Sequence, residues 1–181
     1  MSDKQTERAT VAGGCFWCIE AAFKELSGVH SVVSGYSGGT TDNPTYKEVC
    51  SGSTGHAEAV QVTYDAAELS YEELLEVFFK VHTPTTRNRE GPDVGSQYRS
   101  AIFYHNEEQQ EIAEAFIEEL EESDAYDDPI VTEVASLEAF YEADESHQDY
   151  YEKNPNQSYC VVNVSPKIEK VREQFEQRIE S

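Results

Sequence analysis

The segment HAEAVQVTYDAAELSYEELLEVFF, residues 56–79, contains a strand pattern followed closely by a helix pattern. Apolar and polar side chains alternate from residue 56 to residue 65, with Val60 and Val62 on one face, as expected of a strand that buries one face. The SYEE sequence at 70–73 is a capping box, and it opens a run of apolar residues at helical spacing. The segment therefore predicts a helix packed against a sheet.

Similar patterns on both sides of this segment extend the prediction. Strands are predicted at 6–14, 29–36, 98–105 and 129–134, and helices at 19–28, from Asn106 onward and from Ser165 onward. Two stretches rich in turn residues, 37–55 and 83–97, are predicted to be long loops, which in compact domains are usually functional. This order predicts an α+β fold, namely a two-layer α/β sandwich with a mixed sheet and a ferredoxin-like (split βαβ) core, in one domain over residues 1–181.

The composition excludes several classes of protein. The chain has 36 acidic and 13 basic residues, for a net charge of −23, so it is not expected to bind nucleic acid. No signal peptide or membrane span is visible, and four cysteines in 181 residues do not make a disulfide-rich scaffold. We expect a cytoplasmic monomer with reduced thiols and no membrane partner.

The acidic residues concentrate on predicted helix faces, such as that of residues 107–122. Two interpretations remain open. The face is either an ordinary solvated surface or an adaptation to high salt, in which screening relieves the self-repulsion of the chain.

The sequence GGCFWC at 13–18 is the first candidate for chemistry. The glycines lead from a strand into a helix, which places Cys15 where backbone N–H groups and the helix dipole lower the pKa of a thiol. Cys15 could be a buried packing residue, half of a C-x-x-C redox pair with Cys18, or a catalytic nucleophile, and we favour the nucleophile. A zinc site is disfavoured, because Cys50 and Cys160 are isolated and no second ligand pair completes a tetrahedron.

Glu58 is the second candidate. It shares the parity of Val60 and Val62, so its carboxyl continues the buried face of the strand. Apolar surroundings raise the pKa of a carboxyl, which suits a general acid near neutral pH. A solvent-facing glutamate at a frayed strand end is the alternative.

Two further segments combine polar side chains in predicted loops or beside them. GPDVGSQYRS at 91–100 brings a carboxylate, a phenol and a guanidinium together, and HQDYYEKNP at 147–155 is followed by Cys160. Each segment taken alone is better explained by a structural role than by a catalytic one.

Together these segments resemble the A-type peptide methionine sulfoxide reductases. The resemblance also includes GYSGG at 35–39 and NPTYKEVCSGSTGHAEAV at 43–60, and it runs in order from about Ala9 to Cys160. It implies an enzyme that reduces the S epimer of methionine sulfoxide, free or in oxidised proteins. It implies no metal, no flavin and no other cofactor, with thioredoxin or an equivalent dithiol as reductant.

The resemblance also implies a role for individual residues. Cys15 corresponds to the nucleophile that becomes a sulfenic acid, Glu58 to the acid, and Tyr46 and Tyr98 to the residues that hold the sulfoxide oxygen. The substrate pocket would be formed or supported by Phe16, Trp17, Asp93, His147 and Tyr150. Cys160 is preferred as the resolving thiol, with Cys18 as the second candidate. From another class of protein, the alternative is a non-enzymatic thiol redox or zinc-binding module that uses the Cys15-x-x-Cys18 pair.

Overall fold

The structure of the chain is a computed structural model. It describes residues 6–14, 16–26, 28–51, 54–82, 84–85, 89–90, 93–123, 126, 128–143, 145, 148, 150–154, 156–158 and 164–174. Within these ranges no helix is both long and apolar enough to cross a membrane.

Within the residues that the structure describes, eight strands form one large sheet and one small one. The strands are β1 (Thr6–Ala12), β2 (Val29–Ser37), β3 (Ala57–Asp65), β4 (Arg89–Glu90), β5 (Asp93–Val94), β6 (Ala101–Tyr104), β7 (Glu133–Ser136) and β8 (Phe140–Glu142). Six of them form a sheet in the order β7-β6-β1-β3-β2-β8, while β4 and β5 pair with each other. All neighbours in the large sheet are antiparallel except β6 and β7, which are parallel, so the sheet is mixed.

Six helices in the described part of the chain are interleaved with the strands. They are α1 (Phe16–Lys24), α2 (Tyr46–Cys50), α3 (Tyr71–Val81), α4 (Glu107–Glu122), α5 (Tyr150–Lys153) and α6 (Ser165–Gln174), and a 3-10 turn spans Ser96–Tyr98. α1 connects β1 to β2, which lie on either side of β3, and α3 precedes β6 on the far side of β1. This interleaving is the split βαβ arrangement, so the predicted α+β fold with a ferredoxin-like core is confirmed.

The alternation along β3 separates two hydrophobic clusters. Val60, Val62 and other side chains of its even-numbered face pack with apolar residues from α1, α3, α4 and α6 in the main core. Ala57 and Ala59, on the opposite face, belong to a smaller cluster with Phe103. Because Glu58 has the parity of Val60, the register of β3 directs its carboxyl toward the helical layer.

The structure differs from the predicted elements at three places. The predicted loop 37–55 contains α2, and the predicted loop 83–97 contains the β4–β5 pair and the 3-10 turn. The strand predicted at 129–134 was wrong by several residues, because β7 covers Glu133–Ser136. The position of β7 is set by its pairing with β6 rather than by the residue types of the segment. The two strands are parallel, and their register begins with the Ala101–Glu133 pair.

Candidate active site

The backbone immediately before position 15 is constrained from two sides. Gly14 has a φ of +86°, a conformation that favours glycine, and its N–H donates to the carbonyl of Tyr98 at 3.2 Å. A Cβ on Gly13 would lie 2.8 Å from the His82 ring and 3.0 Å from Phe78, so no side chain fits there without a shift. The glycine pair thus connects β1 to α1 where the backbone packs closely against the C-terminal end of α3 and against the 3-10 turn.

Glu58 lies at the start of α1. Its side chain is only 1% exposed, and its Oε1 accepts a hydrogen bond of 3.1 Å from the backbone N–H of Phe16, the first residue of the helix. The prediction that Glu58 is buried is confirmed, and the solvent-facing alternative is wrong. A long-range contact over 42 residues therefore places a carboxyl beside the residue that follows Cys15 in the sequence.

Two aromatic rings pack near Phe16, the residue whose N–H donates to this carboxyl. Phe16 is 1% exposed, and its ring centroid lies 5.6 Å from that of Tyr36 and 6.2 Å from that of Tyr46. Tyr36 is the partner of Glu58 in the β2–β3 register, so both side chains point to the same face of the sheet. The start of α1 therefore combines a buried carboxyl with the rings of Phe16, Tyr36 and Tyr46.

Tyr46 is held by a local capping motif. Thr45 accepts from the Glu48 N–H at 3.1 Å, and the Glu48 carboxylate accepts from the Thr45 N–H at 2.9 Å. This reciprocal pair stabilises the first turn of α2, and Tyr46 is the first residue of that helix.

A further pair of aromatic rings includes Trp17, the residue after Phe16 in α1. The Trp17 and Tyr150 rings are stacked, with centroids 3.7 Å apart and planes 7° from parallel. Both residues are half-buried, as are Tyr46 and Tyr98, so these rings line the boundary between the core and solvent.

Several predicted site residues are not placed by the structure. Cys15, His147 and Cys160 lie outside the described residues, and so does the side chain of Asp93. Cys18 is described, and it is 1% exposed within the main core. Among the described residues no group of three or more His, Cys, Asp and Glu side chains is arranged to hold a metal ion.

The chain is similar to known proteins in both sequence and structure. A family model described as "Peptide methionine sulfoxide reductase" matches residues 7–179, nearly the whole chain. The chain belongs to the peptide methionine sulfoxide reductase family.

Relatives with the name "Peptide methionine sulfoxide reductase MsrA" support the assignment. The chain is 62% identical to one from Natronomonas pharaonis over 176 residues, which is 97% of this chain and 99% of the relative. It is 63% identical to one from Halobacterium salinarum over 175 residues, with the same coverage. Among solved structures, reduced Mxr1 from Saccharomyces cerevisiae matches with a TM-score of 0.81 and 34% identity over 88% of this chain and 92% of that one.

Membership of this reductase family decides between the two classes of function. The protein is an enzyme of the peptide methionine sulfoxide reductase family, so the non-enzymatic redox or zinc module is set aside. The individual roles of Cys15, Tyr46, Tyr98 and the other candidate residues remain predictions.

Two residues near the site were not among the sequence candidates. Tyr36 is buried opposite Glu58 in the sheet register, and the parity of β2 alone gave no reason to select it. Gln148 contacts β2 from a sequence distance of 114 residues. The sequence feature that could have identified Gln148 is its position within HQDYYEKNP. It was not selected because a glutamine side chain does not titrate and so does not suggest a catalytic role.

Proposed function

We propose that this enzyme reduces methionine-S-sulfoxide, free or in oxidised proteins, by thiol chemistry at Cys15. The observation that carries the proposal is the hydrogen bond from the Phe16 N–H to the buried Glu58 carboxyl. It brings an acid and the residue next to the proposed nucleophile together at the N-terminus of one helix. A helix N-terminus favours a thiolate, and burial favours a protonated carboxyl. The thiol is therefore suited to act as the nucleophile and the carboxyl as the proton donor of the same reaction.

The reaction balances with these two groups. The Cys15 thiolate attacks the sulfoxide sulfur while Glu58 donates a proton to the sulfoxide oxygen. The bond formed between the Cys15 sulfur and the substrate sulfur then breaks together with the substrate S–O bond, and the thioether leaves as methionine. The oxygen and its proton are transferred to the Cys15 sulfur, where a new S–O bond gives a sulfenic acid. The substrate sulfur gains two electrons, and the Cys15 sulfur loses two.

The two oxygens of the Glu58 carboxyl would have different roles in this proton transfer. Oε1 is the oxygen that accepts from Phe16, so the proton would be carried on Oε2. Tyr46 and Tyr98, both half-buried, would donate to the same sulfoxide oxygen. Phe16 and Trp17 would hold the substrate methyl group by apolar contact, with Asp93, His147 and Tyr150 as supporting residues.

A second thiol must then resolve the sulfenic acid. We propose Cys160, whose thiol would attack the Cys15 sulfur, release water and form a disulfide. Burial of Cys18 at 1% exposure supports this choice, because a thiol in a packed core must leave its position before it can react. Thioredoxin or a similar external dithiol would supply the two electrons that reduce the disulfide, so the proposed cycle includes no prosthetic group.

The proposed role of Glu58 as the acid is tested in a single-turnover assay with chiral methionine sulfoxide and reduced enzyme. Glu58→Gln keeps the shape of the side chain but cannot give up a proton, so we expect a rate loss of about 100-fold or more. Glu142→Gln, at an exposed position in β8, is the matched control and should react at the wild-type rate. An active Glu58→Gln variant, or wild-type preference for the R epimer, would contradict the proposal.

The resolving thiol is tested by methionine release in a single turnover and by steady-state turnover with thioredoxin. Cys160→Ser should release one equivalent of methionine in a single turnover but should fail to turn over with thioredoxin. Cys18→Ser should turn over with thioredoxin. The opposite pattern would assign resolution to Cys18.

We propose that the enzyme acts as a monomer in the cytoplasm. The four cysteines in 181 residues, with Cys18 buried as a core residue, support a reducing compartment. Cell fractionation and light scattering of the purified protein test the two statements, and a dimer mass or an exported protein would contradict them.

A further inference from the structure

The side chain of Gln148 binds the backbone of β2 as a neighbouring strand would. Its Oε1 accepts from the Ser34 N–H at 2.8 Å, and its Nε2 donates to the Ser34 carbonyl at 2.8 Å. These partners fix the orientation of the amide, because one is a donor and the other an acceptor.

This contact lies where the pairing of β2 with β8 ends. The last β2–β8 pair is Gly35 with Glu142, after which the Ala143 N–H donates to the Ser34 carbonyl at 2.9 Å. Gln148 Nε2 also donates to the Ala143 carbonyl at 3.1 Å. The amide therefore joins the edge of the sheet to the chain that leaves β8.

Gln148 is also two residues before Tyr150, the first residue of α5. The carbonyl of Tyr150 is held by both the backbone N–H and the side-chain amide of Asn154, at 2.9 Å and 3.1 Å. Lys153 Nζ donates to the Glu145 carbonyl at 2.9 Å. Hydrogen bonds thus hold Gln148 at the sheet edge and also hold α5, whose Tyr150 ring is stacked on Trp17.

We propose that Gln148 is a positioning residue for the substrate pocket. Through its contact with Ser34 it holds Tyr150 against Trp17, and so it fixes the orientation of the indole that forms the pocket wall. The pocket role of Trp17 rests on the proposed function, whereas the action of Gln148 on the Trp17–Tyr150 stack does not.

Two substitutions break the contact in different ways. Gln148→Glu can still accept from the Ser34 N–H, but its carboxylate oxygens face the Ser34 carbonyl without a donor. Gln148→Met has a similar length and makes neither bond. Gln157→Glu, at an exposed position in the same region, makes the same chemical change as the first variant and is the matched control.

The single tryptophan of the chain gives a readout that needs no activity. When Tyr150 leaves the stack, one face of the Trp17 indole is exposed to water, so the emission maximum should shift to the red. We expect this shift in both Gln148 variants and in Tyr150→Leu, but not in Gln157→Glu. The double variant Gln148→Glu/Tyr150→Leu should shift no further than Tyr150→Leu, because Gln148 acts through Tyr150.

Kinetics provide the second readout. We expect KM for methionine sulfoxide to rise about three- to tenfold in the Gln148 variants, the range of one aromatic contact, with kcat changed less than twofold. Wild-type emission and KM in folded Gln148 variants, or additive effects in the double variant, would overturn the proposal. An inactive wild type would overturn the proposed function, and the emission data would still decide the action of Gln148.

Discussion

His82 Nε2 lies 2.7 Å from Ser100 Oγ, and both side chains are buried. The Nδ1 of the same ring donates to the Phe78 carbonyl at 2.5 Å, so in the neutral ring Nε2 accepts the Ser100 hydroxyl proton. Ser100 Oγ lies 2.8 Å from Thr132 Oγ1, which extends the network toward β7. Because the ring also packs under Gly13, this network supports the turn that precedes Cys15.

Removing the Ser100 hydroxyl should destabilise the protein. In Ser100→Ala the buried Nε2 of His82 loses this donor, and we expect the free energy of unfolding in urea to fall by about 1–3 kcal/mol. Ser136→Ala, at an exposed position in β7, should change it by less than about 0.5 kcal/mol. Equal effects of the two substitutions would show that the network contributes nothing measurable.

The capping box of α2 should matter for activity as well as stability. Thr45→Ala removes the cap of the helix that begins with Tyr46, so we expect a loss of about 0.5–2 kcal/mol and a lower kcat/KM. Ser70→Ala removes the equivalent capping box of α3 and is the control. It should cost similar stability but leave kcat/KM unchanged, and a parallel loss of activity in both would contradict the role assigned to α2.

The stability of the protein should fall in mild acid because of His105. Burial, and secondarily the charge of Arg8, lowers the pKa of His105 below its usual value of 6.5. The unfolded chain then takes up the proton first, so the contribution of His105 is present above about pH 6.5 and is lost as the pH falls through the lowered value. His105→Gln should reduce this slope in urea titrations across pH, while His30→Gln, in β2, is the control and should leave the slope unchanged.

The acidic face of α4 tests the two interpretations of the net charge. Glu114, Glu118 and Glu122 are exposed and four residues apart, so neighbouring like charges should cost about 0.2–0.5 kcal/mol per pair in dilute buffer. Salt adaptation predicts that about 1 M KCl raises the melting temperature, and that changing all three to Gln reduces this rise. A melting temperature that is equal in dilute buffer and KCl would favour an ordinary solvated face.

Much of the fold followed from local patterns. The alternation in β3 predicted which face of the sheet is buried, and the Asn106 cap of α4 is found where expected. The short helix α2 was missed because its capping box lies within a stretch of turn residues. The position of β7 was misjudged because a short, half-buried strand takes its register from its neighbour β6.

The sequence by itself determined the alternation that buries Glu58, the glycine pair before Cys15 and the acidic surface, because each depends on residues close together in the chain. Only the tertiary structure decided that Glu58 reaches Phe16 and that Gln148 reaches Ser34. It also decided that Tyr150 stacks on Trp17. These contacts join residues 42 to 133 positions apart, and local periodicity carries no information about which distant surfaces pack together. Their geometry is set by the register of the sheet and the packing of the helices against it.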